Sequence, residues 1–297
     1  MNATVTAVRN QFRDVFELTK PRITRLVLVT TFTGMWLAAG GMPAPDLTVL
    51  TLLGTALAAG ASGALNNYVD READKLMPRT QGRALPAGRL GAPLALGWGV
   101  GLAAVSFAFL HLTVNPAAAW LALATIGFYV FVYTAWLKRR SPLCTSVGGV
   151  AGALPPVIGW AAVTGGVGWP ALALFGIMFL WQPPHFWALA LIRVEEYRRA
   201  RFPVLPVVRG ERVTKRQMLL YTAALLPATA GLYALGLVGP LYLGVALALG
   251  TAYLALTVDF VRRPVTPRSA RRLFGYSIVY LFLLFVMMFA DCRCGGI

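Results

Sequence analysis

Asn66, Asp70 and Asp74 recur every four positions at the end of an apolar stretch, and Arg79 and Arg83 follow just beyond. On a helix that spacing places all three on one face, roughly 6 Å per step. Two carboxylates and an amide so arranged suit a hard cation such as Mg²⁺. That ion takes a few carboxylate oxygens and keeps waters and substrate phosphates for its other positions. The forked guanidinium groups of Arg79 and Arg83 match phosphate oxygens. The chemistry indicated is therefore a diphosphate site, with Asn66, Asp70 and Asp74 as the metal set. The plainer alternatives are a solvated helix end, its acids paired with Arg71 or Lys75, and arginines that merely mark a cytoplasmic loop.

The elements that must position these residues are membrane helices. Of the 297 residues 58% are hydrophobic and 13% charged, with 30 glycines and a mean hydropathy of +0.66. This is the composition of a polytopic membrane protein. About 20 mainly apolar residues are needed to cross a bilayer as a helix. Nine segments qualify: 23–42, 47–69, 91–112, 116–137, 143–164, 169–191, 216–236, 240–261 and 272–290. Residues 1–297 are read as one transmembrane domain. All Lys and Arg except Arg293 fall before or at the start of the first span, or between an even-numbered span and the first residue of the next. Cytoplasmic connections carry such an excess, which predicts the N-terminus inside and the C-terminus outside. Residues 1–20 then form a cytoplasmic segment with no cleavable signal peptide. The long connections 70–90 and 192–215 become cytoplasmic loops on one mouth, where function concentrates. The net charge of +16 is spread between apolar spans rather than gathered on a folded basic face, which argues against nucleic acid.

Several further residues are candidates. Lys138 and Arg139 follow the fourth span, and the positive-inside rule alone could account for them. His185 sits inside a span after Pro183 and Pro184; an ionisable residue there is a functional candidate, and imidazole can ligate haem. A core histidine hydrogen-bonded to a broken-helix carbonyl is the competing reading. Glu195 and Glu196 are adjacent, so they point about 100° apart on a helix and are poorly placed to share one metal. Glu196, beside Tyr197, is the preferred member. Cys292 and Cys294 fall on the outer side and are read as a plain tail.

The motif N-x-x-x-D-x-x-x-D of Asn66, Asp70 and Asp74, followed by M-x-R-T-x-x-R from Met77 to Arg83, resembles the first aspartate-rich motif of the UbiA superfamily of intramembrane prenyltransferases. Four further stretches resemble the protohaem IX farnesyltransferases, or haem O synthases, within it. They are Y-T-x-x-L-K-R-R at 133–140, G-G-x-A-G-A-x-P-P-x-I-G-W at 148–160, W-Q-x-P-H-F at 181–186 and P-V-L-P-V-V at 203–208. The resemblance runs over residues 18–289, with separate motifs in the right order.

It implies an all-α, UbiA-type bundle in a bacterial cytoplasmic membrane, acting on farnesyl diphosphate and haem B to give haem O and diphosphate. Mg²⁺ on Asp70 and Asp74, with Asn66 in support, would make diphosphate a better leaving group. Arg79, Arg83, Lys138 and Arg139 would take up the developing charge. Tyr133, His185, Glu196 and Tyr197 lie in or beside the matched motifs and are assigned to substrate binding. A downstream haem A synthase would be the partner. The second acidic site departs from the superfamily pattern, which pairs aspartates one turn apart where this chain has Glu195 and Glu196. Two alternatives stay open, a quinone-precursor prenyltransferase of the same superfamily and a membrane haem-binding or transport protein.

Overall fold

The computed structural model describes residues 11–293. Among them are nine long helical segments: α1 Pro21–Ala39, α2 Pro45–Asp74, α3 Ala92–Thr113, α4 Pro116–Arg140, α5 Cys144–Thr164, α6 Trp169–Leu191, α7 Gly210–Ala234, α8 Pro240–Arg262 and α9 Pro267–Ala290. Their positions follow the nine apolar stretches of the sequence. Proline stands in the first turn of most of them, where its missing N–H has no intrahelical partner to lose. Six (α2, α3, α4, α5, α8 and α9) are long and apolar enough to cross a membrane by length and composition. The other three are more polar locally. Arg22 and Arg25 open α1, Gln182 to His185 interrupt α6, and Glu211 to Arg216 open α7.

The helices pack as two groups that share α5. In one, Ala58 and Ala61 of α2, Leu110 of α3 and Ala118, Ala122 and Ile126 of α4 meet Ile158 of α5. In the other, α5 to α9 enclose a larger core around Trp187, Tyr242, Tyr253 and Tyr280. Helices α1 and α5 cross closely, because a Cβ on Gly159 would stand 1.9 Å from the Thr31 carbonyl oxygen. Small residues at such crossings replace the hydrophobic drive that lipid removes. Large apolar side chains such as Phe131 and Trp169 face outward, 72% and 77% exposed, as expected of a lipid-facing surface.

The two long connections lie at one end of the bundle and touch. Met77 of the first packs with Ala200, Phe202 and Val204 of the second, and with Cys144 at the start of α5. The second connection carries two short helices, Val194–Arg199 and Leu205–Val208. The first is folded by turns over residues 75–91 and tied to helical residues 11–18, where Arg89 grips Asp14 through two hydrogen bonds of 2.9 and 3.1 Å. That pairing, above all its hydrogen bond, raises the Arg89 guanidinium pKa.

The opposite end of the bundle is closed differently. The Asp291 carboxylate accepts a 2.7 Å bond from the Tyr242 N–H in the first turn of α8, and Val238 bridges Cys292. Cys294 lies outside the described residues.

Candidate active site

The last turns of α2 carry the acidic ladder inward. Helix α2 runs to Asp74, five residues beyond the apolar stretch, so Asn66, Asp70 and Asp74 all keep helical geometry and are all buried. Buried carboxylates demand partners, and each finds a cation. Asp70 Oδ2 accepts from Lys138 Nζ at 2.5 Å and from Asn66 Nδ2 at 3.0 Å. Asp74 Oδ2 accepts from Arg83 at 2.7 Å. Arg139 reaches to 3.9 Å of Asp70 Oδ1 and donates to the Val69 carbonyl at 2.7 Å.

Lys138 arrives there through an unusual winding of α4. Phe128–Leu137 form a π-helix, with bonds from i to i+5 instead of i+4. The Thr134 hydroxyl donates five residues back to the Tyr129 carbonyl at 2.7 Å and accepts from Asn66 at 3.0 Å. Tyr129, Thr134 and Lys138, five and then four residues apart, therefore share the face turned towards α2. Phe202 of the second connection lies beneath Lys138, with the ammonium 4.8 Å from its ring centre.

Lys20 is the site residue that sequence reasoning missed, having counted it only as a cation before the first span. It donates to Asn66 Oδ1 and sits in the left-handed region at φ 51°, unusual for a residue with a side chain. Pro21 starts α1 immediately after it and is the available sequence signal, since it marks a helix start. Burial pushes the Lys20 ammonium down to about 7, with Arg83 and Lys138 acting the same way and Asp70 and Asp74 opposing. Lys20, Arg83, Lys138 and Arg139 thus face only two carboxylates. A cluster with more cations than anions is arranged to receive an anion.

The fit to a divalent cation can be tested on Asp70 Oδ1. This oxygen is buried and has no hydrogen-bond partner. A buried acceptor without a hydrogen bond carries a desolvation penalty, which a metal ion would remove. The described residues contain no group of three or more His, Cys, Asp or Glu side chains that could hold a metal. Two carboxylates and an amide are thus what the protein offers, leaving positions for phosphate oxygens and water, as Mg²⁺ prefers. The residues present fit that ion.

Other expected residues are distributed more widely. Arg79 is exposed and makes no ion pair among the described residues; it stands near enough to Tyr197 to lower its phenol pKa, although burial, the larger influence, raises it. Tyr197 packs in the cluster where the two connections meet, and Glu196 is half-buried beside it. Glu195 turns away to Arg198. Tyr133 packs on Gly148, where a Cβ would come within 2.3 Å of its ring, whereas Tyr129, its ring tilted against that of Tyr133 with centres 5.4 Å apart, lines a cavity. His185 lies in the other half of the bundle. It is held between the rings of Trp181 and Phe274, each 4.4 Å away, with Nδ1 2.7 Å from the Ser277 hydroxyl. No hydrogen bond or ring contact joins it to the acidic ladder among the described residues.

The cavity begins at Lys20 and Gly63 and runs between α1, α2, α4 and α5 towards Thr55 and Ile158. Its walls are almost wholly apolar, with Val27, Ala58, Ala59, Ile126 and Pro155 among them. Lys20, bonded to Asn66 of the ladder, is the member of the charged cluster that lines it, and an apolar bore with that cluster at its end accommodates an amphiphile with an anionic head and a hydrocarbon tail.

The model of the UbiA prenyltransferase family matches residues 27–286. The chain is 51% identical over 280 residues to a protein of Symbiobacterium thermophilum named protoheme IX farnesyltransferase, a match covering 94% of each chain. Among solved structures it resembles digeranylgeranylglyceryl phosphate synthase, with a TM-score of 0.80 at 14% identity, covering 95% of this chain and 98% of that one. It also resembles a UbiA homologue from Archaeoglobus fulgidus bound to GPP and Mg²⁺, with a TM-score of 0.66 at 17% identity over 93% and 99% of the two chains. With the match extending across nearly every membrane helix and both halves of the bundle, this chain belongs to the UbiA prenyltransferase family.

Proposed function

We propose that this chain transfers the farnesyl group of farnesyl diphosphate to a vinyl group of haem B, with addition of water, to give haem O and diphosphate. The observation that carries this reading is the 51% identity, over 94% of both chains, to a protein of that name. The cation-rich mouth above an apolar bore supports it independently, because it matches the two ends of a prenyl diphosphate.

Lys20, Arg83, Lys138 and Arg139 bind and neutralise the diphosphate, while Ser62, Ala59 and Thr55 line the bore for the prenyl chain. As the C1–O bond breaks, its electron pair leaves with diphosphate, and these cations are aimed at the charge that develops there. Asp70 and Asp74, with Asn66 beside them, would hold Mg²⁺, which would supply further charge neutralisation at the leaving group. The vinyl π electrons then form the new C–C bond to farnesyl C1. Water captures the resulting cation on the porphyrin side chain and gives up one proton, leaving the hydroxyl. The apolar bore keeps bulk water from the first cation, and the Tyr129 ring on its wall faces it. Arg79, Glu196 and Tyr197 form the rim contributed by the two connections, Tyr133 supports Tyr129, and His185 serves the haem side.

Nine membrane crossings in a single domain, the N-terminus and the site facing the cytoplasm, and residence in a bacterial cytoplasmic membrane complete the reading. Nearly all cations lie on one side of that arrangement. A haem A synthase would be the natural recipient of the product. The test is incubation of the purified protein with haem B, farnesyl diphosphate and Mg²⁺, followed by mass spectrometry. A haem product heavier by one farnesyl group and one hydroxyl is expected; folded protein that yields none refutes the assignment.

A further inference from the structure

A second basic cavity lies at the same end of the bundle, between α8 and α9 and away from the acidic ladder. Its volume is about 390 Å³. Arg263, Arg268 and Arg272 stand on its walls. Arg268 and Arg272 are four apart on α9, so they project from one face. Neither makes a hydrogen bond or ion pair among the described residues. Asp259 is the carboxylate of the cavity, and Arg263 engages it at 2.7 Å. The hydroxyls of Thr266 and Ser269 are consumed in the capping box that starts α9. That helix start adds its own partial positive charge beside the two free guanidinium groups.

The floor has the opposite character. Leu256, Phe260 and Leu273 lie under the arginines, the last two buried. The rim is also braced from α7. The Lys215 ammonium donates to the Arg263 carbonyl at 2.5 Å, pairs with Glu211 at 2.6 Å and lies 5.5 Å from the Phe260 ring centre. A cationic rim fixed over an apolar floor, between two helices long and apolar enough to cross a membrane, suits an anionic amphiphile of the bilayer.

We propose that this cavity binds the phosphate headgroup of an anionic phospholipid, with Arg268 and Arg272 forking onto its oxygens and the acyl chains following the α8–α9 groove. Guanidinium pairs favour phosphate through bidentate bonds. The apolar floor selects a lipid over free phosphate, which would leave that surface wet. This site is separate from the prenyl diphosphate mouth, and its test needs no enzymatic activity.

The experiment uses the purified full chain in a neutral detergent and native mass spectrometry, with dioleoylphosphatidylglycerol and dioleoylphosphatidylcholine added separately. Phosphatidylglycerol should be retained more tightly, by about thirtyfold for the two arginines together, and the preference should weaken as salt is raised. The double variant R268A/R272A and the single charge reversal Arg272→Glu should bring phosphatidylglycerol down towards phosphatidylcholine while helical circular dichroism is unchanged. Both positions are solvent-exposed, so the fold does not depend on them. Equal retention of the two lipids, or unaltered phosphatidylglycerol binding in both folded variants, overturns the proposal. Displacement of the lipid by equimolar inorganic phosphate overturns the choice of a lipid headgroup.

Discussion

Replacing Ala59 with phenylalanine should change which prenyl diphosphate the site accepts. Ser62, Ala59 and Thr55 line the cavity, and with Asn66 they follow at helical spacing along one stripe of α2. Ala59 stands seven residues before Asn66, which at 1.5 Å per residue is about 10 Å into the bore. At the ~1.2 Å per bond of an extended chain, farnesyl reaches about 13 Å from C1 and geranyl about 8 Å. A ring at position 59 therefore obstructs the terminal isoprene unit of farnesyl and clears geranyl. Five carbons denied burial at about 0.8 kcal/mol each come to about 4 kcal/mol at most, which corresponds to about 10²–10³ in kcat/KM. The assay is haem prenylation with farnesyl or geranyl diphosphate as donor, with thermal unfolding in detergent as the check on folding. The ratio of the two kcat/KM values should move towards geranyl by that factor. A well-folded A59F protein with the wild-type ratio would mean that the prenyl chain does not run along this stripe.

Three other perturbations probe the mouth and the frame. Asp70→Asn keeps an acceptor for Lys138 and Asn66 but places an amide where the unpartnered Oδ1 stands; turnover should fall by at least about 10² with helical circular dichroism intact, and activity near wild type would remove Asp70 from the metal set. Lys20→Met should raise KM for farnesyl diphosphate by about ten- to a hundredfold, the range of a charged hydrogen bond. An unchanged KM in steady-state kinetics would show that the Asn66 contact is merely structural. Gly159→Ala drives a methyl group against the Thr31 carbonyl, and neither backbone can yield easily; a stability loss of about 2–3 kcal/mol is expected from such overpacking. An unshifted unfolding temperature would contradict the close α1–α5 crossing.

The positions of the helices were legible because each is a long apolar run closed by proline, glycine or charge, and such runs carry their own signal. The ladder of Asn66, Asp70 and Asp74 was equally legible, since residues four apart share a face whatever the rest of the chain does. Charge alternation led only to the expectation that the two long connections share one mouth; the contact of Met77 with Phe202, which brings them together, is a property of the packing. Three further features depended on tertiary structure. The π-winding of 128–137 decides that Lys138 meets Asp70, and no local propensity in Phe-Tyr-Val-Phe-Val-Tyr announces it. Lys20 joins the site because α1 is anchored beside α2, with Asn67 bonded to the Leu18 carbonyl, and so brings together residues 46 positions apart. The bore exists only as the space between four helices, and its depth, like the separation of His185 from the ladder, is a property of their packing. Spacing along the chain determines which residues share a helix face; which faces meet is decided by long-range packing, to which local periodicity is blind.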